Sequence, residues 1–281
     1  MVNDTSRGRL LIAHCRSGAD LAARVVDRLR GLAGEPDLVH LENVDGQFSD
    51  SETFVRLDQD VSGSDVFLFQ ALLDPHHNRG VDQNYMAFLI AVRALREWGA
   101  NFITGVLPYL AYARQDKPTQ FEREPTTANL MADLTIAAGI DRLITWHPHS
   151  PQIHGFYDHI PVVKLESLPV FVGEYERFRG RPDVIVIAPD AGALKFVTRV
   201  GRELELNAAI ASKYRPRPEE AHIQEVIGDF SGKRIALVLD DMISSGGTVT
   251  ALVHELVDHK GIEEVYLGAS HNLGMEAARA R

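Results

Sequence analysis

The chain has 281 residues, enough for two domains of ordinary size, and its 45% apolar and 24% charged residues are the balance of a globular protein. A formal net charge of -10 argues against general affinity for nucleic acid or an anionic membrane, and leaves room for a small phosphorylated ligand held by local groups. Cys15 is the only cysteine, so no intrachain disulfide can form; with no secretory leader or membrane-crossing run in view, the expectation is a cytoplasmic protein.

Apolar strand-like runs alternate with segments of helical period, which predicts an α/β fold. In chain order, strands are expected over Leu10–His14, Val66–Gln70, Phe102–Leu107, Leu143–Trp146, Val184–Ala188, Arg234–Leu239 and Glu264–Gly268. Helices are expected over Gly18–Leu32, Asp82–Trp98, Thr126–Ala138, Gly192–Arg202 and Thr248–His259. Each half has its own strand–helix series. A boundary near residue 165, before the less patterned LESLPVFVGEYERFRGRPD, gives domains 1–165 and 166–281. The stretch SKYRPRPEEAH (212–222) is proline-rich and basic, and reads as an exposed flexible loop. No internal repeat or low-complexity tract is found.

Two strand-to-helix handovers carry most of the chemistry. In LVLDDMISSGGTV the apolar run from Ile235 closes on Asp240 and Asp241, then enters a loop of Ser244, Ser245, Gly246, Gly247 and Thr248 before a helix. Backbone N–H groups at such a helix start favour an anion, glycines allow close approach, and the hydroxyls add donors. The paired acids can accept hydrogen bonds from sugar hydroxyls, so the stretch reads as a sugar-phosphate site. A plain turn with a helix cap is the bland alternative. In IAPDAGALKF, Asp190 ends an apolar strand where it can bind magnesium, and Ala191 and Gly192 offer close-approach backbone. Arg114, Gln115, Asp116 and Lys117 follow a buried strand and supply a charged clamp for a polyphosphate and an amide for a base edge. No Walker A sequence occurs, so any nucleotide is held by another device. The histidines at 147, 149, 154 and 159 have no spacing that defines a closed zinc set.

VLDDMISSGGTV resembles the phosphoribosyl pyrophosphate motif shared by type I phosphoribosyltransferases and ribose-phosphate pyrophosphokinases. Five further segments favour the second family. YARQDK (112–117) resembles its signature and has no counterpart in ordinary phosphoribosyltransferases. WHPHSPQIHGFYD (146–158) is similar to D-L-H-x-x-Q-I-Q-G-F-F-D, with His149 on the family's histidine and His147 where aspartate is usual. IAPDAGALKF resembles the S-P-D-x-G-G pyrophosphate loop, and KYRPRP (213–218) the K-R-R-P-R-P catalytic loop, with Tyr214 replacing an arginine. FSDSE (48–52) resembles F-S-D/N-G-E, a segment that reaches into a neighbouring subunit.

The resemblance runs from about residue 9 to about residue 270. It implies two similar phosphoribosyltransferase-type, Rossmann-like α/β domains, each a mainly parallel sheet flanked by helices. It implies transfer of the β,γ-diphosphoryl group of ATP to the anomeric hydroxyl of ribose 5-phosphate, giving phosphoribosyl pyrophosphate and AMP. ATP would be held by Phe48, Asp50, Glu52, Arg114, Gln115, Asp116 and His149, and magnesium by His149 and Asp190. Ribose 5-phosphate falls to Asp240, Asp241 and residues 244–248, pyrophosphate to Asp190, Ala191 and Gly192, and catalysis to Lys213 and Arg215. A homo-oligomer, at least a dimer, follows from the cross-subunit segment.

Some features depart from the family. Ser244 stands where many relatives have a third aspartate; a short archaeal-type branch resembles this chain's version, with D-D-I-I-S-T-G-G-T. LDPHHNRGVDQ (73–83) is a small insertion that would alter the effector site of the larger enzymes. The chain stops about 33 residues after Thr248, where relatives continue through strands and a helix that returns to the first domain. That stop favours one alternative, a non-catalytic regulatory relative that binds partner synthetases; the retained lysine loop and metal residues argue against it. The other alternative, a phosphoribosyltransferase, is opposed by the RQDK and KYR segments.

Overall fold

The computed structural model describes residues 7–32, 38–74, 79–217 and 220–274, with side chains throughout except at 213–224. The chain divides into two compact units, Met1–Leu165 and Glu166–Arg281.

The first unit contains β1 (Leu10–His14), α1 (Ala19–Arg30), β2 (Leu38–Leu41), β3 (Asp45–Gln47), β4 (Thr53–Val55), β5 (Asp65–Phe69), α2 (Val81–Glu97), β6 (Phe102–Leu107), α3 (Thr127–Ala138), β7 (Arg142–Trp146) and β8 (Val162–Leu165). Six of the strands form a parallel sheet in the order β2-β1-β5-β6-β7-β8. Strands of this kind are covered on both faces, which is why FITGVL reads as a continuous apolar run. Alternate residues serve opposite layers. Leu11, Val66, Leu68, Ile103 and Leu107 meet α2 and α3 on one face, while Ile12, Phe69 and Val106 meet Ala22 and Val26 of α1 on the other. In α2 the buried stripe is Tyr85, Phe88, Val92 and Leu95, at helical spacing. Full burial of a side chain such as Phe88 contributes about 1.5–3 kcal/mol. Gly105 lets α2 close on β6, since a Cβ there would lie 2.7 Å from the Phe88 ring.

The second unit contains α4 (Leu168–Glu174), β9 (Val184–Ala188), α5 (Leu194–Glu203), β10 (Asn207–Arg217), β11 (Glu220–Ile227), β12 (Ile235–Ile243), α6 (Gly247–Lys260) and β13 (Glu264–Asn272). The sheet order is β11-β10-β9-β12-β13, parallel except for the antiparallel pair β10–β11. Central β9 is buried along its whole length. Val184, Val186 and Ala188 pack on the α4–α5 side, and Ile185 and Ile187 face Leu252 and Leu256 of α6. Both units are therefore mainly parallel sheets with helices on either face. Among the described residues no helix is long and apolar enough to cross a membrane.

Two sequence expectations need correction. Residues 207–217 and 220–227 are strands, so the stretch read as a flexible loop is an antiparallel hairpin; Pro218 and Glu219 lie outside the described residues. The ladder is irregular between Ser212 and Lys213 and between Tyr214 and Arg217, which blurs the period-2 alternation that marks a strand. The strand expected to end at Leu239 runs on to Ile243, with Asp240 opposite Ala269 and Ile243 opposite Asn272 on β13. Asp240 and Asp241 are thus strand residues rather than the first of the loop. Besides β10 and β11, the elements the sequence did not announce include β2, β3, β4, β8 and α4, all short.

Candidate active site

In the second unit the chain leaves β9 for α5 and β10 on one side, then returns to lay β12 on the other side of β9. Open α/β sheets bind ligands outside the strand carboxyl ends where the order reverses in this way. Here those ends carry the segment from Asp190 to Gly192 and the segment from Asp240 to Thr248. The structure brings these two predicted groups together.

Asp190 is half-buried, and its Oδ1 accepts from the backbone N–H of Gly192 at 2.8 Å and of Ala193 at 3.2 Å. This bends the chain tightly ahead of α5 and leaves Ala191 and Gly192 exposed. On the neighbouring strand, Asp240 Oδ1 accepts from the backbone N–H of Asp241 at 2.8 Å. Burial, then a hydrogen bond and charge repulsion from Asp241, then the charge of Asp190, push Asp240 up to about 8. The crevice therefore gathers more carboxylate than it balances, and attracts hydroxyl donors or a cation.

Beyond Ile243 the loop turns through Gly246, whose φ of 77° is left-handed and costs an ordinary side chain strain. α6 starts at the next residue, so the donors of its first turn open beside Ser244, Ser245 and Thr248, all half-buried. The fit to a phosphate is that of a helix start reached through a glycine turn. Lys213 and Arg215 lie on β10, where Lys213 pairs in register with Ile223; their side chains lie outside the described residues. β10 pairs with β9 through Asn207–Ile210, and its later residues through Arg217 pair with β11.

In the first unit, β6 and β7 are neighbours, and their carboxyl ends carry YARQDK and WHPHS. Pro108 O joins the two loops by accepting from the Trp146 N–H at 3.0 Å and from Thr145 Oγ1 at 3.4 Å. Arg114, Gln115 and His149 are exposed and Asp116 is half-buried, 3.6 Å from Lys117 Nζ. Gln115 is stitched to α3: its Oε1 accepts from Thr127 Oγ1 at 2.6 Å, and its carbonyl from the Ala128 N–H at 3.2 Å. Tyr112 has a left-handed φ of 63°, uncommon for an aromatic residue, and its hydroxyl donates to Asp82 at the start of α2. That bond, with burial, pushes the Tyr112 hydroxyl up to about 12. Thr127 and Asp82 were not singled out from sequence. Their only trace there is the position each holds in a helix's first turn.

Phe48, Asp50 and Glu52 are exposed in the turn between β3 and β4. Glu52 borders a groove of about 450 Å³ shared with Asp82, Gln83, Met86 and Ile90 of α2, which Arg114, Gln115 and His149 do not line. Phe48 is 51% exposed, its ring 4.8 Å from that of Phe54. An aromatic ring half out of water at a hairpin tip is suited to stacking on a flat ligand.

For magnesium, the donor set is carboxylate oxygen at Asp190, with Asp240 and Asp241 in electrostatic reach. Among the described residues no three His, Cys, Asp or Glu side chains form a ready metal cluster. Mg²⁺ takes one or two carboxylates and completes its shell with phosphate and water, so Asp190 is the kind of ligand it uses.

Residues 172–277 match the phosphoribosyl transferase domain family, which defines the class of the second unit. Residues 10–139 match the N-terminal domain of ribose phosphate pyrophosphokinase. The ribose-phosphate pyrophosphokinase of Bacillus subtilis is 34% identical over 271 residues, 96% of this chain and 80% of that protein. That of Mycoplasma pneumoniae is 37% identical over 254 residues, 90% and 73% of the two chains. The crystal structure of phosphoribosylpyrophosphate synthetase from Mycobacterium smegmatis superposes with a TM-score of 0.81 at 30% identity, covering 96% of this chain and 83% of the other. The chain belongs to the ribose-phosphate pyrophosphokinase family.

Proposed function

We propose that this chain is a ribose-phosphate diphosphokinase that converts ATP and ribose 5-phosphate to phosphoribosyl pyrophosphate and AMP. The observation that carries the reading is the crevice between β9 and β12, where the Asp190 turn and the Asp240–Thr248 loop meet at the switch in strand order.

The N–H groups at the start of α6, with Ser244, Ser245 and Thr248, bind the 5-phosphate. Asp240 and Asp241 take the ribose hydroxyls and fix the ring, which presents the anomeric oxygen and removes rotational freedom from the attack. That oxygen gives up its proton to solvent and forms a bond to the β-phosphorus of ATP as the bond from this phosphorus to the α,β-bridging oxygen breaks, and AMP departs with the electron pair. The backbone at Ala191 and Gly192 receives the diphosphoryl group. Lys213 and Arg215, on the β10–β11 hairpin, neutralise charge on the bridging and equatorial oxygens, where preorganised cations act most strongly. Arg114, Asp116 and His149 hold the triphosphate, and Gln115 and the Phe48–Glu52 turn hold the adenine. Mg²⁺, held by Asp190, would offset phosphate charge when bound. A cytoplasmic location and a homo-oligomer belong to the same reading; the exposed Phe48 turn is the part that a second copy would receive.

The test is to incubate the protein with magnesium, ribose 5-phosphate and ATP labelled at the β-phosphorus. The label should pass to the sugar product as AMP appears. No AMP from folded protein would favour a regulatory relative, and turnover only with phosphoribosyl pyrophosphate and a free base would favour a phosphoribosyltransferase.

A further inference from the structure

The hairpin bearing Phe48, Asp50 and Glu52 has only three residues in each strand, Asp45–Gln47 and Thr53–Val55. A two-stranded ribbon this short is not stable in water on its own. Apolar packing supplies part of the remedy, since Phe54 lies across Gly46 so closely that a Cβ there would be 2.3 Å from its ring. The other part is ionic. Arg79, just ahead of α2, donates through Nη1 to Asp45 Oδ2 on β3 and through Nη2 to Thr53 Oγ1 on β4, the latter at 3.3 Å. The second oxygen of Asp45 accepts from the Arg16 N–H at 2.6 Å, which ties the same carboxylate to the loop after β1. The side chains of Arg79 and Asp45 are 5% and 0% exposed.

A buried charge deprived of its partner is strongly destabilising, so this pair persists only if both members stay in place. A planar guanidinium can also satisfy two acceptors in fixed directions, which an ammonium cannot. One rigid group therefore grips both strands and sets the attitude of the turn between them.

We propose that Arg79, through Asp45 and Thr53, is a positioning residue for the nucleotide: it sets the hairpin whose turn presents Phe48, Asp50 and Glu52 to the adenine. The claim rests on the assignment of that turn to ATP under the proposed function. Arg79 comes from the segment 73–83, which the family resemblance marks as inserted. Arg79 touches no ligand; its effect reaches ATP through the turn alone and leaves ribose 5-phosphate untouched.

The experiment compares wild type, Arg79→Lys and Thr53→Val by hydrogen exchange of the 45–55 segment and by kinetics with ATP and with GTP. Arg79→Lys keeps the charge facing Asp45 but cannot hold both strands; Thr53→Val removes one arm and carries the test if the lysine variant does not fold. In Arg79→Lys, exchange across 45–55 should quicken and KM for ATP rise about tenfold, the worth of one charge-assisted bond. Preference for ATP over GTP should narrow, KM for ribose 5-phosphate should stay within about twofold, and Thr53→Val should show smaller changes in the same direction. Wild-type exchange and KM in both variants would overturn the proposal, as would a rise in both substrates' KM together, the mark of a purely structural role. If the wild type makes no AMP, the enzyme assignment fails separately. Calorimetry with ATP then decides: weaker binding by Arg79→Lys supports the positioning role, and equal or absent binding in both proteins overturns it.

Discussion

In the second unit the groups assigned to the sugar phosphate are shaped by main chain. Asp190 is locked by two backbone N–H bonds, the following loop turns on a left-handed Gly246, and a helix begins at once. In the first unit the groups assigned to the nucleotide are mostly exposed side chains, and Gln115 among them is held by the hydroxyl of Thr127. The contrast suits the two ligands. A sugar's single phosphate can be held by the fixed dipoles of a helix start, whereas a base needs a particular amide and ring, which side chains supply. It follows that damage to the second unit should be read mainly at ribose 5-phosphate or in kcat, and damage to the first mainly at ATP.

The largest expected effect is on the hairpin arm. Lys213→Ala should lower kcat by about a hundredfold or more with KM for ATP changed by less than about threefold. Turnover at the wild-type rate would remove the arm from the chemistry. Next, Gly246→Val forces a β-branched residue into a left-handed turn, and KM for ribose 5-phosphate should rise about tenfold, in line with strain of ~1–2 kcal/mol. An equal rise for ATP would erase the contrast between the units.

Asp240 gives a smaller effect with a defined sign. Its folded pKa of about 8 exceeds the ordinary 3.8, so the folded chain keeps a proton that the unfolded chain has already released. The folded state therefore loses stability as pH rises from near 4 towards 8. In chelator-containing buffer, Asp240→Asn should melt several degrees above wild type at pH 8 and close to it at pH 4. Matching melting curves at pH 8 would contradict the crowding of carboxylates described above. The smallest effect is expected for Thr127→Val, which frees the Gln115 amide and should raise KM for ATP about twofold to threefold, with ribose 5-phosphate kinetics as the internal control.

The same contrast governs what sequence can reveal. VIVIA and FITGVL announce themselves because strands buried on both faces must be apolar throughout, and α2 does so through its 85–88–92–95 stripe. The glycine loop after β12 was legible for the same local reason, since its turn and helix start are neighbours in the chain. The short β2, β3, β4 and β8 lack the length to show a period, and Pro169 and Gly173 obscure α4. The arm around Lys213 misled because KYRPRPEEAH carries the composition of a loop. The grip of Arg79 on Asp45 could not be read at all: the partners are 34 residues apart, and no periodicity links them.

The extension of β12 to Ile243 is supported from one side by β13, which pairs with it as far as Asn272 and bonds Leu273 N–H to Ile243 O at 3.0 Å. The strand that steadies the loop assigned to the phosphate is therefore synthesised after the loop itself. On the ribosome, a nascent chain that has exposed the whole SSGGT stretch would still hold it loosely. Affinity for the sugar should arrive late and abruptly, when the following strand emerges and docks.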